Sequence, residues 1–421
     1  MRVLFGCLVG LALAGCEARQ STATNAPARP VVPVVAPMAV ALDTADYMRS
    51  TRQALTYHAA LDTLISLGTR HYWLYMSQAT DSTRPFDYGP TRIVGRHFAA
   101  PSDSSWQRRR VRGYEGTYRF VLRDSTHRRV LFSQQLHKRD LLPVASAETV
   151  TVSEPDFYYL GYSSGLHALL FQVEVWIPSS DVGSRAALLL DARTGRVQKL
   201  SSIGSVTFEA TDCDPRVSPT GRAVLTCADE LLRAGQPPLS LRRPHAELWA
   251  TRFLTDTTLL AVYQFGDYQP RQPDPDEATT NSDVPDDPRI TAGFYLPDEE
   301  FVSTDAQRQL ANAFVLGTSG RVLAKFRYDN WAPDMGYSMP YYYSAATRTY
   351  YLLSGPQVEL LQLPKSRPGT VVKLPLKSLP SFKPPRRPSE EIFSFHYDSA
   401  EYMFYVDKAA PHSVRVRRLA E

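Results

Sequence analysis

The chain has 421 residues, 47 Lys and Arg against 43 Asp and Glu, a formal net charge of +4, and 43% hydrophobic residues. That near balance excludes the strongly basic field on which nucleic-acid binding rests, and no nucleic-acid module accompanies the scattered arginines. The length and apolar content suffice for one large core or two smaller ones.

Arg2 gives a short positive start, and Val3 to Ala14 is an apolar run broken only by Gly6, Cys7 and Gly10. Charge followed by a short apolar stretch is the pattern of a secretory signal, too short to span a bilayer comfortably. The run ends at Leu13-Ala14-Gly15-Cys16, where small residues let a peptidase approach the backbone. This segment resembles the lipobox of bacterial lipoproteins. The resemblance implies cleavage before Cys16, a diacylglycerol on its thiol, and a chain anchored in the cell envelope at the outer membrane. Several acyl chains hold such an anchor firmly without any spanning helix.

Glu17 to Ala41 carries Ser, Thr and Asn, then Pro27, Pro30, Pro33 and Pro37, and reads as an extended, semi-rigid tether. Next comes a predicted helix over Thr44 to Leu67. Tyr47, Thr51, Leu55, His58, Leu61 and Ile65 form its stripe and Gly68 its stop. The expected divisions are a signal peptide at 1–15, a lipidated Pro-rich tether at 16–43, a helix with first strands at 44–113, and a β domain at 114–421.

Downstream of Gly68 the period changes to short runs of Tyr, Phe, Val and Leu between turns, which predict β-strands. A hairpin sentence recurs. It reads Leu188-Leu189-Leu190, a turn ending in Gly195-Arg196-Val197, then Lys199-Leu200. It returns as Phe314-Val315-Leu316, Gly320-Arg321-Val322, then Lys325-Phe326, with related forms at Tyr342 to Leu352 and His396 to Met403. Val217-Ser218-Pro219-Thr220-Gly221-Arg222 is similar to the Ser-Pro-Asp-Gly turn of bacterial β-propeller blades, with Thr220 in place of Asp. The resemblance, spanning about Tyr114 to Leu419, implies an all-β fold with a six- or seven-bladed β-propeller-like domain behind a short N-terminal helix. An irregular sandwich or barrel is the alternative.

Of the four cysteines, Cys7 leaves with the signal and Cys16 is acylated, so Cys213 and Cys227 remain as an even pair for an oxidising compartment. Their midpoint is Thr220. With Ser218 opposed to Arg222 across a three-residue loop, counting outward pairs Cys213 with Cys227 in a disulfide.

Gly161-Tyr162-Ser163-Ser164-Gly165 matches the Gly-x-Ser-x-Gly elbow of α/β hydrolases, which needs a strand before the serine and a helix after it. Asp156 to Leu160 supplies the strand. Leu166 to Ile177 is rich in β-branched and aromatic residues and predicts another strand, so strand-turn-strand is preferred, although His245, His396 and His412 lie downstream. The nine histidines show no metal spacing, and neither a metal nor a cofactor is expected. The acidic, proline-rich stretch from Gln272 to Arg289 reads as a solvated insertion, with a weak cation site or partner loop as the lesser reading. Arg108 to Arg110, Arg242-Arg243 and Arg417-Arg418 read as solvated strand edges, with contact to anionic lipid headgroups as the alternative.

Asn330 to Tyr343 gathers aromatics, amide and acid, and Trp331, Tyr337 and Tyr341 are its candidate partner-binding residues. The sequence therefore predicts a non-catalytic envelope lipoprotein that binds a protein or glycan, held to the membrane by its lipid. A secreted serine hydrolase using Ser163 and a structural envelope assembly factor are the rivals.

Overall fold

A computed structural model describes residues 61–86, 92–96, 106–110, 113–153, 155–176, 183–206, 215–226, 229–270, 299–329, 339–354, 358–397 and 400–419. They form an all-β succession of antiparallel sheets, each laid down by one stretch of chain. The first contains β1 (Leu61–Leu67) and β2 (Arg70–Phe86), sets aside the two-stranded hairpin of β3 (Arg92–Arg96) and β4 (Trp106–Arg110), and resumes with β5 (Gly113–Asp124) and β6 (Val130–His137). The second runs β7 (Asp156–Ser163), β8 (Ala168–Trp176), β9 (Gly183–Asp191) and β10 (Val197–Val206). The third is short: β11 (Arg216–Val217), β12 (Ala223–Leu225), β13 (Glu230–Arg233) and β14 (Leu239–Ser240).

The fourth sheet takes β15 (Ala246–Phe253) and β16 (Thr258–Phe265), sets aside the hairpin β17 (Asp267–Pro270) and β18 (Glu299–Val302), and resumes with β19 (Ala313–Gly317) and β20 (Val322–Phe326). The fifth is β21 (Tyr342–Ser344), β22 (Thr349–Ser354), β23 (Glu359–Pro364) and β24 (Val372–Pro375). The sixth is β25 (Glu390–Tyr397), β26 (Ala400–Asp407) and β27 (Val414–Leu419). Strand neighbours in every sheet follow chain order, which short hairpins permit and parallel pairing would not.

Alternation explains how these sheets pack. Side chains on a strand point to opposite faces in turn. In the second sheet Leu169, Phe171, Leu188 and Leu190 join Phe120 and Leu122 of the first. Their neighbours Ala168, Leu170, Ala187 and Leu189 join Val224 and Leu232 of the third. The fourth sheet repeats this, Leu259 and Phe314 packing with Leu225 and Leu231 on one face, Leu260 and Val315 with Leu352 and Leu361 on the other. Tyr351, Leu353 and Leu360 then meet Phe393 and Phe404 of the sixth. With both faces covered, interior strands read as unbroken apolar runs. Meander sheets packed face to face in sequence order are the architecture that the propeller-like turns foretold.

The recurring hairpins occupy the expected places. Gly195 lies between β9 and β10 at φ +73° and Gly320 between β19 and β20 at φ +90°, conformations that glycine adopts without the penalty of a Cβ.

Three expectations change. The end of the helix predicted over 44–67 is β1: Ile65 is buried and Leu64 is 53% exposed, a period of two. Gly68, read as a helix stop, has φ +66° and begins a two-residue turn that pairs Leu67 with Arg70. Residues 44–60 lie outside the described residues. The boundary at 113/114 is replaced by a sheet built from both sides of it, because β2 pairs with β5 along its length.

The turn after β11 also differs in register. Arg216 faces Leu225 and Val217 faces Val224, so Ser218 opposes Ala223 and the loop has four residues. The Ser218 hydroxyl accepts from the Ala223 amide at 3.1 Å, which stabilises the wider loop. Cys213 and Cys227 lie outside the described residues, as do the acidic stretch 272–289, Trp331 and Tyr337.

Candidate functional site

The site begins where two turns meet. Ser163 ends β7 fully buried, and its hydroxyl donates to the Gly221 carbonyl at 2.7 Å while accepting from the Leu166 amide at 3.2 Å. The Gly165 amide donates to the same carbonyl at 3.0 Å, and the Ser164 hydroxyl donates to the Thr220 carbonyl at 3.2 Å. Gly221 has φ +77°, and a Cβ there would sit 2.9 Å from the Ser164 Oγ. These bonds fasten the second sheet to the third at one end. They also settle the Gly-x-Ser-x-Gly motif: after Ser163 the chain turns and enters strand β8, so no strand-to-helix elbow forms. His245 and His412 pair elsewhere, with Asp267 at 2.5 Å and Gln362 at 2.8 Å.

At the other end the two sheets part, for a simple reason of length. Strands of the second sheet are eight to ten residues long and those of the third two to four. Ala168 and Leu170 are covered by the third sheet. Gln172 and Glu174 continue the same face of β8 at the same two-residue spacing, beyond that cover, and are polar. A groove of about 580 Å³ results, lined by Tyr158, Leu160, Gln172, Glu174, Pro215, Arg216 and Val217.

Its wall is ordered. Gln172 faces Tyr158, and Glu174 faces Asp156, across the β7–β8 ladder. The Glu174 carboxylate accepts from the Gln172 amide at 2.7 Å through Oε1 and from the Trp176 indole at 3.2 Å through Oε2. Each carboxylate oxygen keeps further lone-pair capacity for a ligand donor. Burial pushes the Tyr158 phenol above its ordinary pKa, and the charges of Asp156 and Glu174 push it the same way, so it stays a neutral donor. Tyr158 and Leu160 are 48% and 38% exposed. A bulge between Tyr159 and Gly161 re-aims β7 here. Gly161, at φ +148°, lets the strand pass close to Val217, whose Cγ2 would lie 3.3 Å from an added Cβ.

Sequence reasoning singled out none of these lining residues as a binding site: Tyr158 and Leu160 entered only within the strand before Ser163, and Val217 only as part of the turn. The available signal was the switch from Leu170 to Gln172 and Glu174 on one face of an apolar strand. Of the aromatic residues it did name, Tyr341 is described. Tyr341 is 39% exposed with the Arg252 guanidinium 3.5 Å above its ring, and Tyr343 carries the Lys365 ammonium at 4.2 Å. Among the described residues no group of three or more His, Cys, Asp or Glu side chains could hold a metal, and no helix is long and apolar enough to cross a membrane.

Fold and groove define an all-β protein of propeller-like sheet stacking with a polar, aromatic cleft between two sheets. No family model and no curated protein matches the chain. Among solved structures it is similar to the crystal structure of TolB from Acinetobacter baumannii, at 10% identity and a TM-score of 0.21, over 73% of this chain and 77% of that one. A likeness of that size carries no argument about function.

Proposed function

We propose that the chain is a lipid-anchored envelope protein, at the outer membrane, that holds an extended segment of a protein partner in the groove between its second and third sheets. The observation that carries this reading is an edge strand, β7, whose exposed Tyr158 and Leu160 form one wall of a groove closed by Arg216 and Val217. Edge strands offer main-chain donors and acceptors to an extended peptide, and flanking side chains supply selectivity. Glu174 would take a donor from the partner, and Leu160 with Val217 its apolar side chain. In this reading the lining groups serve binding, Glu174, Tyr158 and Arg216 as polar contacts and Leu160 and Val217 as apolar ones. Cys16, within the lipobox-like segment, supplies the membrane attachment.

A photoreactive side chain in place of Tyr158, in the membrane-anchored protein, should give an adduct with a polypeptide. Tyr158→Ala should weaken that partner's binding about tenfold or more, as truncation of a central aromatic anchor does. Absence of any adduct, with a glycan found to bind the groove instead, would overturn the choice of partner. The anchor is tested separately. Cys16→Ser should leave the membrane fraction, and wild-type protein should carry an acyl mass.

A further inference from the structure

We infer that the outer edge of the fifth and sixth sheets is a docking strip for an anionic phospholipid surface, against which the tethered domain lies. Residues 365–387 contain seven lysines and arginines and no carboxylate, in a chain whose whole net charge is +4. Lys377, Lys383 and Arg387 are exposed, and so are Arg417 and Arg418 on β27.

The strip is fixed to the sheet. Ser381 bridges Val416 in parallel, the Phe382 amide donates to the Val416 carbonyl at 2.8 Å, and the Val416 amide donates to the Pro380 carbonyl at 3.0 Å. Phe382 stacks on Tyr405 with ring centres 3.8 Å apart. Segment 380–383 therefore runs as a pinned ribbon along the edge of β27, and its one cation, Lys383, lies on the same edge of the sixth sheet as Arg417.

Two carboxylates of these sheets are already engaged. Glu359 pairs with Lys373 at 3.3 Å and Glu390 with Arg415 at 2.6 Å. Among the described residues no ion pair engages Lys377, Lys383 or Arg417. Exposed cations that no ion pair engages complement an anionic headgroup layer, whose attraction falls off within a Debye length.

Reach favours this occupant. The 44 residues between Cys16 and Leu61 can extend to at most about 150 Å, and shorter paths keep the domain at the membrane at high effective concentration. A strip too weak to bind lipid from solution would then suffice. This part of the argument rests on the proposed anchor, so acyl mass is measured first and read separately.

The test is hydrogen exchange on the full lipidated chain, reconstituted in vesicles of phosphatidylcholine alone or with phosphatidylglycerol. Peptides covering Lys377 to Ser389 should exchange at least threefold more slowly with phosphatidylglycerol present. The slowing should vanish in 0.5 M salt and in the triple variant Lys377→Glu, Lys383→Glu, Arg417→Glu. Unchanged protection of β26 in that variant would show that it is folded; a variant that loses this protection is replaced by Lys→Gln and Arg→Gln changes at the same positions. If no acyl mass is found, the same vesicles added in excess test the strip alone. No slowing, equal slowing on phosphatidylcholine, or slowing only with a soluble anionic polysaccharide would overturn the proposal.

Discussion

The hydroxyl of Ser163 donates a 2.7 Å hydrogen bond to the carbonyl oxygen of Gly221, 58 residues away, and that bond closes one end of the cleft between two sheets. Two turns that stand apart in the sequence thus hold each other. Ser163→Ala should destabilise the protein by about 1–2 kcal/mol, the usual cost of removing one partner of a buried hydrogen bond. Urea denaturation reads that loss. A fluorophosphonate probe should leave Ser163 unlabelled, and labelling there would restore the hydrolase.

Acid stability should depend on Glu390. Burial of its carboxyl raises the pKa, but the hydrogen bond and charge of Arg415, with the Arg387 amide, outweigh burial and hold it below the usual carboxylate range. Arg415 meets it with Nε at 2.8 Å and Nη2 at 2.6 Å. A lowered folded-state pKa contributes stability above the unfolded value, about 4.3, and that stability is lost as pH falls through the folded value. Arg415→Met should therefore cost about 3 kcal/mol at pH 7, as breaking a buried pair does. The gap in Tm between wild type and variant should narrow toward pH 3. A gap that is constant with pH would show that the pair is not coupled to protonation.

Tyr341 should behave as a ring rather than as a phenol. Its contact with the nearly buried Arg252 is a cation–π interaction worth about 1 kcal/mol. Tyr341→Phe should leave thermal stability unchanged and Tyr341→Ala should lower it by about that amount. Equal losses in both would place the contribution in the hydroxyl.

Cys213 and Cys227 flank one hairpin in sequence, and we expect non-reducing peptide mapping to recover them as a bridged pair. The register between Arg216 and Leu225 shifts the count by one from a direct pairing, so a bridge requires an irregular ladder beyond those residues. Two free thiols in protein from an oxidising compartment would remove the bridge.

Hairpin glycines, alternation and apolar runs were legible because each is a local property. The sentence ending in Gly195-Arg196-Val197 had to turn where it does, and Leu188 to Leu190 had to lie between two covered faces. The stretch Leu61–Leu67 misled because its apolar residues fit both a helical stripe and a strand. Pairing with β2 decided between them, and that partner's commitment is not written in seven residues.

The cleft was decided only by tertiary structure. A strand of the second sheet carries no record of how short the facing strands of the third will be. Gln172 and Glu174 look like interruptions until the cover over Leu170 is seen to end. By itself the sequence determined what each segment prefers, down to a Cys16 segment like a lipobox and an all-β chain of hairpins. Which edges meet, which faces stay open and which cations lie on one edge follow from contacts between residues far apart in the chain. Those depend on packing, to which local preference is blind.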